Sequence, residues 1–301
     1  MLWAAGLAVA VAVILFSLHS YRHRFVRDDR DILGLLPGGD VTTFFASVSA
    51  LRSAGMLELL AGSKAAEETD YKQFVKETQF DYTKDLETVA GTADKEATYF
   101  VARGHFDWSK LRQYAMVHGG SCREDVCKMP TSTPERWTSF LPIQPDVLGV
   151  ALSPNAAAAE LLRPTRVVGP VAEPSTEPVW VEIAPSLLKN PLSLPLAVRI
   201  FAVSLQSVGP VIFSLGRAAE RSGAVFNVQL DAQCPSQATA EATRNQMEIQ
   251  TKMLRLELAR ENAQPSFSDL TGLLTAGSFQ VIGKRVVGTW PVRRELLNVL
   301  K

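Results

Sequence analysis

The chain has 301 residues, 47% apolar and 21% charged, and its 31 basic and 31 acidic side chains cancel to a formal net charge of zero. That balance excludes a disordered or fibrous chain, and without a basic excess it excludes a nucleic-acid binder working through a charged face. Three cysteines are too few for a disulfide-scaffolded mini-protein, and the length suits two domains of ordinary size.

Residues 2 to 18, LWAAGLAVAVAVILFSL, carry no charge. At 1.5 Å per residue they span roughly 25 Å, near the lower limit for a transmembrane helix. Trp3 and Tyr21 sit at its two ends, where amphipathic rings favour the lipid–water interface, and Arg22 and Arg24 follow as interface residues. FSLHSYRHR offers no small-residue cleavage site, so the expectation is an uncleaved anchor at residues 1–20 with a basic juxtamembrane segment at 21–34. Arg22, Arg24, Arg27 and Arg30 favour a cytosolic body by the positive-inside rule. Large domains behind a single bacterial anchor are commonly exported, and the expectation is a periplasmic body on the inner membrane, with a cytosolic one as the alternative.

The first α+β unit is expected over residues 35–162. VTTFFASV reads as a strand, Ser49 as the cap of a helix over ALRSAGMLELL, and AAEETDYKQFVKET as a second helix. EATYFVARG is a strand and residues 108 to 117 a helix, followed by a hairpin with cysteines at 122 and 127, strands near 136–141 and 147–152, and the helix NAAAAELL. Residues 163–178, with four prolines in sixteen positions, read as a linker. The second unit, 179–301, opens with the strand VWVEIAPSLL. LSLPLAVRIFAVSLQSVGPVIFSLG is a core helix and buried strand rather than a membrane span, because Arg199 would sit at its centre. AVFNVQLDAQC alternates, with Asn227, Gln229, Asp231 and Gln233 on a wet face. A long helix, 237 to 262, is expected to turn Met247, Ile249, Met253, Leu254 and Leu258 to a core, before the strand FQVIGKRVVGTW and a terminal helix. GHFDWSKL and GTWPVRREL read as one repeated corner. The expected fold is α+β: a transmembrane helix, then two related units, each a mainly antiparallel sheet with helices on one face.

LLPGGDVTTFFASVSALRSAGMLELL and YKQFVKETQFDYTKDLETVAG resemble uncharacterised, single-pass anchored bacterial envelope proteins over roughly residues 35 to 115. The resemblance implies an anchored protein of unknown activity and assigns no functional residue.

For chemistry, a hairpin would set Cys122 opposite Cys127 within disulfide range, and the C-x4-C spacing fits neither a redox C-x-x-C motif nor a closed zinc site. Cys234, on an apolar strand face, reads as a small hydrophobe. His105 and His118 are candidate bases without a partner visible in the sequence. Asp81, Asp85 and Glu87 read as caps rather than a metal site. Trp108, Trp137, Trp180 and Trp290 are core residues or the lining of a groove. There is no nucleotide-binding glycine fingerprint, nucleophile elbow or H-E-x-x-H. The functional expectation is a non-enzymatic, membrane-tethered envelope protein, without metal or cofactor, that binds a partner protein or an apolar ligand. The alternative is a hydrolase or thiol-dependent oxidoreductase using His105 or Cys122 and Cys127.

Overall fold

A computed structural model describes residues 26, 28–58, 69–164, 175–190, 196–218 and 224–300. Helix α1 (Asp29–Leu33) precedes β1 (Thr42–Ser47), α2 (Val48–Ser53), α3 (Thr69–Thr78) and a single turn, α4 (Tyr82–Asp85). Strands β2 (Leu86–Ala93) and β3 (Thr98–Gly104) lead to α5 (Trp108–Val117), β4 (Ser121–Arg123), β5 (Val126–Pro130), β6 (Trp137–Gln144), β7 (Val147–Ser153) and a 3-10 turn (Ala158–Leu162). Then come β8 (Val179–Ile183), α6 (Pro185–Lys189), α7 (Leu196–Leu205), β9 (Val211–Arg217) and β10 (Phe226–Gln233). The chain ends with α8 (Gln237–Arg260), α9 (Leu270–Thr275), β11 (Ser278–Ile282), β12 (Arg285–Val292) and α10 (Arg294–Leu300).

These twelve strands form one sheet in the order β11-β12-β10-β9-β8-β1-β2-β3-β7-β6-β5-β4, and every pairing is antiparallel. This overturns the expectation of two units. The sheet does not break where they were to part, because β1 pairs with β8, Phe44 opposite Val181 and Phe45 opposite Trp180. Both strands carry large apolar groups on both faces, so neither is suited to an exposed edge. Within the single sheet the strand path runs twice, as β1-β2-β3 then β7-β6 and as β8-β9-β10 then β12-β11. Of the proposed linker, residues 165–174 lie outside the described residues, and Pro178 is already bound to the sheet through Ser47 N–H (2.8 Å).

The predicted transmembrane helix also finds no counterpart here. Residues 2–18, with Trp3, Tyr21, Arg22 and Arg24, lie outside the described residues, and among those described no helix is long and apolar enough to cross a membrane. The juxtamembrane segment is part of the body where it is described. Val26 is buried, and the Gln144 side chain accepts from Val26 N (2.7 Å) and donates to Val26 O (3.1 Å). Asp29 accepts from Thr88 Oγ1 and from Arg103, both at 2.7 Å. Ile32 and Leu35 then pack with Phe45, Ala90, Val101, Val147 and Trp180 on one face of the sheet.

On the opposite face, α7, α8 and α9 close a core around Leu230, Phe279 and Trp290. Helices α2 and α10 cover Phe226 and Val292, and α5 covers Cys127 and Phe140. Strand β10 alternates as its sequence predicts, with Phe226, Leu230 and Ala232 buried. Four local expectations need correction. Helix α2 is capped by Ser47, whose Oγ accepts from Ala50 N, rather than by Ser49. The last strand is a hairpin, folded at Gly283 with φ +62°. The two supposedly equivalent corners differ, since Gly104 ends β3 whereas Gly288 lies inside β12, opposite Leu230 and Phe279. In α8, Met247 is buried and Leu254 packs against the core, but Ile249 and Met253 are 57% and 64% exposed. A run of apolar residues all round a helix does not by itself say which side is inward.

Candidate functional site

The end of the sheet where β2, β3 and β7 meet α5 holds an open hollow of about 660 Å³. Three aromatic rings line it. Phe80 stacks on Phe106 with ring centres 5.1 Å apart and planes at 16°, and Phe106 continues to Trp108 at 5.6 Å. Phe74 meets Phe80 edge-on at 6.3 Å, so the ladder continues into the packing of α3 on α5. Three local devices bring these rings together. Gln79 ends α3 in the left-handed region (φ 59°), which turns Phe80 back towards the sheet. Asp107 caps α5 by accepting from Lys110 N (3.1 Å), placing Trp108 in the first turn. Trp108 Nε1 donates to Pro145 O (3.1 Å), fixing the indole across the β6–β7 corner.

Asp85, Asp107, Asp146, Lys110 and His105 stand around the hollow. Their polar atoms mostly serve the fold. Asp85 accepts from Asp81 N (2.7 Å), Lys110 binds Gln79 and Asp107, and Asp146 lies 3.9 Å from Arg103 Nε. Hydrogen bonds from Lys110, chiefly its backbone N–H, hold the Asp107 carboxyl below the usual range. His105 is exposed at the rim, and among the described residues its ring bonds to no carboxylate; its backbone N–H is held by Asp85 O (2.8 Å). A catalytic base is commonly oriented by a hydrogen-bonded partner, and among the described residues this ring has no such carboxylate partner.

The other residues singled out in the sequence lie elsewhere. Cys122 and Cys127 are disulfide-bonded as direct cross-strand partners of β4 and β5, with Cα atoms 4.0 Å apart. The turn between them is the two residues Glu124 and Asp125, since Arg123 and Val126 still pair in the ladder. His118 bonds to Glu77 (2.8 Å) and packs on Tyr114 (4.2 Å), clasping α5 to α3. Hydrogen bonds from Gln73 and then His118 hold the Glu77 carboxyl below its usual range. Asp81 caps α4; burial pushes its carboxyl up, but bonds from Thr83, Lys84 and Tyr71 together outweigh that and lower it. Cys234 is buried, and desolvation raises its thiol. Trp180 and Trp290 are core residues, while Trp137 is half-buried beneath the Lys128 ammonium. Among the described residues no cluster of His, Cys, Asp and Glu could hold a metal ion. Sequence reasoning did not find the hollow, whose three rings lie on separate segments joined only by the fold.

No protein-family model matches the chain, and no curated protein matches it. Solved structures of a protein named TP0453 are similar in three crystal forms. Form III superposes with a TM-score of 0.47 at 15% identity, covering 89% of this chain and 96% of that one. Form I gives 0.45 at 14% identity over 89% and 95%, and form IV 0.44 at 15% over 90% and 97%.

Proposed function

We propose that the chain is a non-enzymatic, membrane-associated protein of the bacterial cell envelope that binds an apolar group in the hollow beside α5, either a small ligand or a side chain of a partner protein. The observation that supports this reading is the ladder of Phe80, Phe106 and Trp108 lining an open volume of about 660 Å³. Ligand sites are concavities of this size, and here the three rings share the lining with Asp85, His105, Asp107, Lys110 and Asp146, which suits a group with an apolar face and a polar edge. The Cys122–Cys127 bond suits a body in an oxidising compartment. The resemblance of residues 35 to 115 to anchored envelope proteins points the same way.

The test is a titration of the full chain with a neutral apolar fluorophore, N-phenylnaphthylamine, alongside Trp108→Ala and Phe106→Ala. Saturable binding is expected, weakened about tenfold in each variant, as the loss of one well-placed aromatic contact implies. Trp137→Ala should leave the affinity unchanged. Equal affinity in all four proteins, or no saturation in any, refutes the reading. Its compartment is checked by alkylating thiols in intact cells and weighing the peptide that spans both cysteines, where two alkylated thiols would place the body in a reducing compartment.

A further inference from the structure

Helix α8 is apolar on two opposite sides. Ala240, Thr243, Met247 and Thr251 point into the core, whereas Ile249, Met253 and Leu256 are 57%, 64% and 54% exposed. Ala238, Ala242, Asn245, Ile249, Met253 and Leu256 recur at steps of four, three, four, four and three, which draws one stripe along the outer side of the helix. Val203 on α7 is also 55% exposed, and α7 is tied to α8 by Ser204 Oγ donating to Gln250 (3.0 Å). The stripe is graded in size, with alanines in its amino-terminal half and Met253 and Leu256 in its carboxy-terminal half.

We infer that this face of α8 pairs with the same face of a second copy of the chain, antiparallel about a twofold axis at Ile249. In that arrangement each residue meets the one equally far beyond the centre. Ala242 faces Leu256 and Asn245 faces Met253 on either side of an Ile249–Ile249 contact, so Met253 and Leu256 each meet a smaller side chain. A parallel pairing would set Leu256 on Leu256 and alanine on alanine, leaving a gap at one end.

The charges fit the same geometry. Glu248 and Lys252 share one flank of the stripe, one turn apart. Antiparallel pairing brings each Glu248 within two residue steps, about 3 Å along the axis, of the other copy's Lys252. Lys252 makes no ion pair among the described residues, while Glu248 is held 3.3 Å from Arg244 in its own helix. Two symmetric contacts therefore form where each copy contributes one acid and one base. A helix of this length offers a face on the order of 350 Å², well under the roughly 800 Å² per partner of a standard stable interface. The pairing is accordingly weak, with a dissociation constant in the micromolar range or above.

Sedimentation equilibrium of the full chain, run to concentrations on the order of 100 µM, tests it. The wild type should show a concentration-dependent dimer, and Met253→Glu should be monomeric with an unchanged unfolding temperature, because the side chain is exposed. Glu248→Lys and Lys252→Glu should each weaken the dimer about tenfold, and the double exchange should restore it. A wild type that stays monomeric overturns the inference. So does a dimer that survives Met253→Glu, which would use another surface, or a double exchange that fails to recover.

Discussion

Trp180 lies at the centre of the sheet, 1% exposed and stacked on Phe45 with ring centres 5.6 Å apart at 13°. Its indole Nε1 is buried with no hydrogen-bond partner among the described residues. Two opposing effects therefore meet in Trp180→Phe. The smaller ring leaves a void of roughly 40 Å³, which at about 24 cal/mol per Å³ costs about 1 kcal/mol, on top of roughly 1 kcal/mol of apolar burial lost with the removed atoms. The same change removes a buried, unpaired donor whose desolvation costs about 1–3 kcal/mol. The sum lies within about 1 kcal/mol of zero. Trp180→Ala has no such relief beyond the lost donor, and it removes the Phe45 stack and most of a large core side chain, so a loss of about 3–5 kcal/mol is expected. Urea unfolding followed by circular dichroism separates the two variants, provided the slope with denaturant is unchanged. If Trp180→Phe loses more than about 2 kcal/mol, the indole N–H is satisfied in the native state and the reasoning fails.

Tyr71 resists ionisation. Burial is the main cause, with the nearby Asp81 carboxylate adding to it against an opposing bond from Tyr82 N–H, and together they push the phenol up to about 12. A phenol harder to ionise in the native state than its ordinary 10 contributes stability that is fully present below pH 10 and is lost as pH rises towards 12. Ultraviolet titration should show late phenolate absorbance that Tyr71→Phe lowers by one phenol, Tyr99 and Tyr114 also being raised by burial; an unchanged titration curve would contradict this. Gly104→Ala should destabilise by about 1–3 kcal/mol and disturb the hollow, because its Cβ would fall 2.3 Å from Asp85 O; Gly38→Ala, with nothing within 4 Å, is the neutral control in thermal unfolding.

Elements whose own residues carry the signal were legible in the sequence. Helix α5 occupies the expected positions because Asp107 caps it and no breaker follows until His118 and Gly119. Strand β10 was legible because one of its faces is wet. Strand β2 was not. Its central residues, Ala90 and Gly91, are small because the neighbouring strand fills their place: a Cβ on Gly91 would lie 2.1 Å from the Phe44 ring. A strand whose partner supplies the bulk has no apolar period of its own to read. The joining of β1 to β8 was hidden for a related reason, since 131 residues separate Ser47 from Val179 and nothing local in either strand names the other. The hollow depends on that long-range assembly too, so its rings were visible one by one and not as a set.

The hold of Gln144 on Val26 has a mechanical consequence. Any tension drawn through the residues ahead of Val26 enters the body first at two side-chain hydrogen bonds and the Asp29–Arg103 ion pair, on a sheet face, not along a strand ladder. Those contacts yield one after another, like a peeled seam, whereas twelve strands loaded lengthwise would resist together. Under such a load the segment from Asp28 to Leu36 would come away with Ile32 and Leu35 leaving the core, before the strand ladders were loaded.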